Sequence, residues 1–247
     1  MIQVCGIDIE AAQAHDWRMI SSLTTERVRR DIDVVAHAGL GLDDFFAETV
    51  ESLRRAVPPL DAACIGTFDP NTVMLTSARK YGDLLGQDHK DPEWGGLLEY
   101  GRVEPSSYRE LVARRCDAVG LNLLTRGRAQ HSERMTQLMI PEYCFHDEAR
   151  LVLRDGDRVW AGIAMFRSGA GCRPFTEDEI EFLGSLSQTL AHGGAHRTAQ
   201  HCRRREAPPL HQLRTGRPDH RPQQRHRADE RRQPGTHRRP RGRTEQR

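Results

Sequence analysis

The feature that most limits what this chain can fold into is a change in its chemistry at Gly193-Gly194. From His196 to Arg247 there is no Ile, Val, Met, Phe, Tyr or Trp, and Leu210 and Leu213 are the only large aliphatics. The same stretch carries 16 Arg and no Lys against five acids, a formal charge of +11, which leaves −9 on the residues before it. A segment with so little apolar surface cannot offset the entropy of ordering its backbone. The near-neutral total of +2 therefore conceals an acidic body joined to a basic, Pro/Gly-punctuated tail. The body has about the length of one domain, and the composition predicts a poorly structured N-terminus over 1–26, a folded domain over 27–194 and a disordered Arg/Pro-rich tail over 195–247.

The first residues show no basic segment followed by an apolar run, and no stretch is apolar for the roughly 18 residues a bilayer span needs. A cytoplasmic protein without membrane contact is expected. Six cysteines, Cys5, Cys64, Cys116, Cys144, Cys172 and Cys202, form neither a CxxC pair nor a regular framework, which suits reduced thiols. No metal cluster is indicated.

Within the body, Arg27 to His37 is a helical candidate interrupted by Gly39-Leu40-Gly41. Leu42, Phe46, Val50, Leu53 and Val57 then recur at helical steps, with Asp44, Glu48, Glu51 and Arg55 on the opposite face, and Pro58-Pro59 ends the pattern. The period changes to two over 62–68 and 73–79, around the turn formers Asp69-Pro70-Asn71-Thr72, which predicts a hairpin. A mixed stretch over 81–139 suggests helices at 107–115 and 132–139 and glycine loops at 95–96 and 126–128. A second hairpin is predicted over 148–167 around Gly156-Asp157. Thr176 with Glu179 makes a capping box, and Phe175 with Ile180 a hydrophobic staple, for a helix whose buried stripe is Ile180, Leu183, Leu186 and Leu190. Helix, hairpin, helical insert, hairpin, helix is the order of an antiparallel sheet with packed helices, an α+β architecture.

Three of these pieces, LDDFFAETVESLRRAVP before AACIGTFDP, the hairpin EARLVLRDGDRVWAGIAMFR, and PFTEDEIEFLGSLSQTLAHG, together with the insert WGGL, resemble GAF-type sensor domains over Val34 to Gly194. The whole looks most like the amino-terminal sensor of LuxR-type helix-turn-helix transcriptional regulators. The resemblance implies an antiparallel sheet flanked by helices, a pocket between sheet and insert, a small-molecule effector whose identity it does not give, and no enzymatic activity. It places Trp94, Tyr100, Tyr143, Phe145 and Trp160 nearest the pocket as candidate ligand-binding residues, rigid apolar walls being what a small ligand needs. No catalytic residue and no metal ligand is assigned, and the cofactor is unknown.

The sequence departs from that regulator group after Gly194, where no helical periodicity remains and a helix-turn-helix cannot be read. Such a composition is what a GC-rich coding sequence gives in a shifted frame, so the tail reads as the remnant of a lost DNA-binding domain. Its arginines would hold DNA only non-specifically, through phosphates.

Two rivals stand beside the sensor. Cys144 and His146, two apart on an extended segment, would face the same side, and a thiol-dependent redox enzyme on the same scaffold would need Cys144 to pair with Cys116 or another thiol. A homodimerisation module built on the outer helices is the other. The neighbouring carboxylates Asp147 and Glu148 read as a solvated strand entry. P-loop, dinucleotide-binding, GxSxG and HExxH patterns do not occur in the sequence.

Overall fold

A computed structural model describes residues 9–101 and 104–194; the basic tail, with the expectations that fall on it, lies outside the described residues. The described residues open with helix α1 (Ile9–His37), which starts well before the expected Arg27. Residues 9–26 contain neither Pro nor Gly, so nothing local stops the helix there. Helix α2 (Leu42–Ala56) follows the predicted stripe: Leu42, Phe46, Val50, Leu53 and Val57 are all buried. Each fully buried aliphatic of this kind is worth about 1.5–3 kcal/mol relative to an exposed one. Asp43 and Asp44 in its first turn and Arg54 and Arg55 in its last suit the helix dipole.

The sheet has five strands, β1 (Ala62–Phe68), β2 (Leu75–Gly82), β3 (Ala118–Gly120), β4 (Phe145–Asp155) and β5 (Arg158–Ser168). Their spatial order is β2-β1-β5-β4-β3, with every neighbouring pair antiparallel. Both predicted hairpins form. In the first, the Asp69 carboxylate accepts from the N–H groups of Asn71 and Thr72 and holds the turn. In the second, Gly156 takes φ +59°, a left-handed conformation that a side chain would disfavour.

Strand alternation sends two sets of side chains to two different layers. Ala63, Ile65, Ala149, Leu151, Leu153, Ala161, Ile163 and Met165 face α1, α2 and helix α6 (Glu177–Ser185), forming one apolar core. The predicted capping box of α6 is complete: Thr176 Oγ1 accepts from the Glu179 N–H, and Glu179 accepts from the Thr176 N–H. After a turn at Leu186 the chain is helical again over 187–194. At that break Ser187 donates its hydroxyl to the Val152 carbonyl at 2.6 Å and accepts from the Arg154 N–H, tying the last helical segment to β4.

The other face is covered by the insert. It comprises a wide π-helical turn (Pro92–Leu98), helix α3 (Tyr108–Ala113) capped by Ser107, the short helix α4 (Leu121–Thr125), a second π-helical turn (Met135–Met139) and helix α5 (Ile140–Tyr143). The expected loop at Gly95-Gly96 is therefore helical, and the helix expected over 132–139 forms over 133–143, widened at Met135–Met139, with Ser132 accepting from the Met135 N–H at its start. Beneath the insert lie Leu84, Leu98, Met135, Met139, Phe145 and Phe166. No helix among the described residues is long and apolar enough to cross a membrane.

Candidate functional site

The floor of the site is a patch of sheet stripped of bulk. Gly66 on β1 is paired with Gly162 on β5, and the next pair on the same face is Cys64 with Ala164. Tyr108, from the start of α3, lies on Gly162 so closely that a Cβ there would stand 2.3 Å from its ring, and a Cβ on Gly66 would stand 2.5 Å from Leu75. Small residues on the strands thus make room for large ones on the insert and on β2. Between them remains a cavity of about 90 Å³ with a predominantly apolar lining.

One end of the cavity is charged. Arg150, on β4 beside Ala164, donates to Glu99 Oε2 at 2.7 Å and through Nε to Glu148 Oε1 at 2.8 Å. Glu148 also accepts from Arg134 NH2, and Glu99 accepts from the Tyr108 N–H at 2.7 Å. Arg134 NH1 lies 3.7 Å from Glu99, so two arginines and two glutamates alternate in a closed set. All four side chains are buried, with exposures of 6% or less. Burial opposes ionisation of Glu148, but the two guanidinium groups outweigh it and hold its carboxyl below the ordinary 4.5. Glu99 and Arg134 come from the insert, whereas Glu148 and Arg150 come from the sheet. The set therefore fastens one layer to the other.

The remaining walls narrow the opening of the cavity. Lys80, on edge strand β2, donates to the Gln87 carbonyl and to Asp88 and Asp91, which draws the following loop over the sheet. Tyr100 accepts from the Leu75 N–H at 2.8 Å and donates to the Val73 carbonyl at 3.1 Å, latching the insert to the start of β2. The Arg150 guanidinium lies 4.5 Å from the Tyr108 ring centroid, and Phe68 packs on that ring at 4.9 Å. Burial pushes the Cys64 thiol up to about 12 against the partial opposition of Lys80, so it stays protonated at neutral pH and is a small apolar wall rather than a nucleophile.

Of the residues expected near a ligand, Tyr100 lines this cavity. Tyr143 stacks on Phe145, and Phe145 on Phe166, in the neighbouring aromatic cluster, outside the cavity lining. Trp160 points to the other face, where it stacks on Phe46 of α2 at 6.2 Å. Trp94 sits in the first π-helical turn, and its side chain lies outside the described residues. Tyr108, Arg150, Glu99 and the Gly66–Gly162 pair carry the geometry that residue type alone did not indicate.

The carboxylates expected to be solvated are buried at 1% exposure. Glu148 belongs to the charged set, and Asp147, across a bulge in β4, accepts from the N–H groups of Phe175 and Asn122. Cys144 and Cys116 are not brought together. Asp117, next to Cys116, accepts from the Val152 N–H, eight residues along β4 from Cys144. At ~3.3 Å per strand residue that separates the two thiols by about 26 Å, far beyond a disulfide. His146 bonds the Cys144 carbonyl through Nδ1. No group of three or more side chains able to hold a metal occurs among the described residues.

A second, open groove of about 1230 Å³ lies on the helix side near Thr24, Pro58 and Phe175. On its rim Arg55 is paired with Asp31 and Arg173 with Glu179.

No family model matches the chain, and no curated protein is similar to it. Among solved structures it is similar to the GAF domain of the Acinetobacter phosphoenolpyruvate-protein phosphotransferase, at 20% identity over 72% of this chain and 95% of that one, with a TM-score of 0.46. The GAF domain of a phosphoenolpyruvate-protein phosphotransferase from Coxiella burnetii matches at 16% identity, over 73% and 98% of the two chains, with a TM-score of 0.47. The LBD domain of VqsR from Pseudomonas aeruginosa matches at 15% identity, over 71% and 96%, with a TM-score of 0.41.

Proposed function

We propose that residues 27–194 are a GAF-like, non-enzymatic sensory domain of a cytoplasmic transcriptional regulator, and that a small-molecule effector occupies the cavity lined by Cys64, Gly66, Ala164, Tyr108 and Arg150. The observation that carries this reading is the position of the cavity between two layers that a buried ion set holds together. A molecule there touches the sheet and the insert at once, and its binding energy can favour one arrangement of the two.

A route outward exists along β4. Arg150 stands in the cavity wall, Val152 two residues on packs against Tyr108, and the Val152 carbonyl receives the Ser187 hydroxyl from the last helical segment. A shift of β4 under the ligand moves the acceptor that anchors that segment. In the full regulator this segment would lead to the DNA-binding part; in this chain a tail translated in a shifted frame offers only non-specific phosphate contacts in its place. A homodimer through the outer helices is compatible with this role.

Thermal unfolding of the full chain against a panel of uncharged, anionic and cationic metabolites tests the proposal. A true effector at about a hundredfold over its Kd adds ~2.7 kcal/mol, or roughly 5–10 °C in Tm for a domain of this size. Absence of stabilisation by every class would overturn it.

A further inference from the structure

The charges around the cavity are matched among themselves. Lys80 is paired with Asp88 and Asp91, and Arg150 with Glu99 and Glu148. An ionic ligand would surrender its hydration and meet no uncompensated partner.

One wall residue carries a polar atom that is not matched. Tyr108 Oη is buried and has no hydrogen-bond partner among the described residues, although the ring that carries it is 7% exposed and fixed by Gly162, Phe68 and Arg150. A buried hydroxyl without a partner is costly, and the phenol is foremost a donor beside a guanidinium. The space is also small. About 90 Å³ is several times the ~10–15 Å³ that one water needs and less than the ~150 Å³ of a cavity that holds benzene.

Resting on the sensory reading above, we infer that the effector is a compact, uncharged molecule with one acceptor oxygen, such as a short ketone or ester. Tyr108 Oη donates to that oxygen, and the apolar remainder lies over Cys64, Gly66 and Ala164. The space behind the mouth has room for only a few non-hydrogen atoms. Leu75, 41% exposed, and Tyr100 stand at the mouth.

Amide-resolved NMR titration of the full chain separates the possibilities, with butan-2-one as the polar probe, xenon as the apolar one, and butyrate and butylammonium as charged ones. Butan-2-one and xenon are both expected to shift the amides of Gly66 and Ala164. In Tyr108→Phe, which keeps the ring on Gly162, xenon binding is expected to persist while butan-2-one binds roughly three- to tenfold more weakly. Equal ketone affinity in the two proteins overturns the inference and leaves the sensory reading standing. Tighter binding of butyrate or butylammonium than of the ketone overturns it as well. Silence of both xenon and ketone in the wild type refutes the receptive cavity itself, and with it both readings.

Discussion

The two faces of the sheet are covered on different physical terms. On one, helices α1, α2 and α6 press apolar stripes onto Ile65, Leu151, Ile163 and Met165, and the contact is non-directional. On the other, the insert meets a row of small residues and is fastened at one end by Glu99, Arg134, Glu148 and Arg150. An apolar layer tolerates small displacements at graded cost, whereas a buried ion set is either assembled or left with an uncompensated charge. The difference suits a rigid back and a two-position front, and it can be broken residue by residue.

The largest effect is expected from Glu148→Gln. It strips the shared anion from Arg134 and Arg150 and should destabilise the protein by about 3–5 kcal/mol in urea unfolding. The pH dependence has a definite sign. The folded-state carboxyl lies below its ordinary 4.5, so its contribution is complete above that value and lost as the pH falls through the lowered one. Glu179, lowered by Arg173 and Arg167 in spite of its own burial, acts in the same direction. Asp147 acts oppositely, because burial raises its carboxyl above 3.8 and acidification through that range favours the fold. Wild-type stability should therefore fall below pH ~4.5 more steeply than that of Glu148→Gln. Parallel acid limbs in the two proteins would show that the ion set does not hold the front layer.

The two faces also differ in how far the sequence discloses them. Leu42 to Val57 and Ile180 to Leu190 announce the helix side because each stripe is periodic within one segment, and Thr176 with Glu179 announces its cap because the partners are three residues apart. The front is built from positions 99, 134, 148 and 150, joined only by folding, and local spacing carries no trace of that. Glu148 and Arg150 alternate with Ala149 and Leu151, a pattern identical to that of a strand with one solvated face. What distinguishes them is the length of chain between the two hairpins, long enough to cover a sheet face and turn its polar side inward. Trp160 and Tyr108 show the same limit from opposite sides. An aromatic on a strand and an aromatic on a short helix look equally suited to a pocket until β5 turns one toward Phe46 and sets the other on Gly162.

A smaller effect is expected at that contact. Gly162→Ala places a methyl group 2.3 Å from the Tyr108 ring, which Phe68 and Arg150 hold in place. Overpacking of this kind costs about 1–3 kcal/mol. The ring must lift, so butan-2-one affinity should change together with stability. An unchanged urea midpoint would mean that the front layer has slack where the packing shows none.

The smallest effect belongs to the back. Thr176→Ala removes the hydroxyl that accepts from the Glu179 N–H at 3.3 Å, but the reciprocal half of the box, from the Thr176 N–H to Glu179, is a backbone donor and survives. Glu179 also stays clamped by Arg167 and Arg173, whose guanidinium groups bond in turn to the carbonyls around Pro58. The loss should therefore stay at the low end of capping effects, about 0.5–1 kcal/mol, or ~1–4 °C in Tm, with ligand affinity unchanged. A cost here approaching that of Glu148→Gln would place the cooperative fastening at the α6 start instead, and the contrast between a graded back and a two-position front would be reversed.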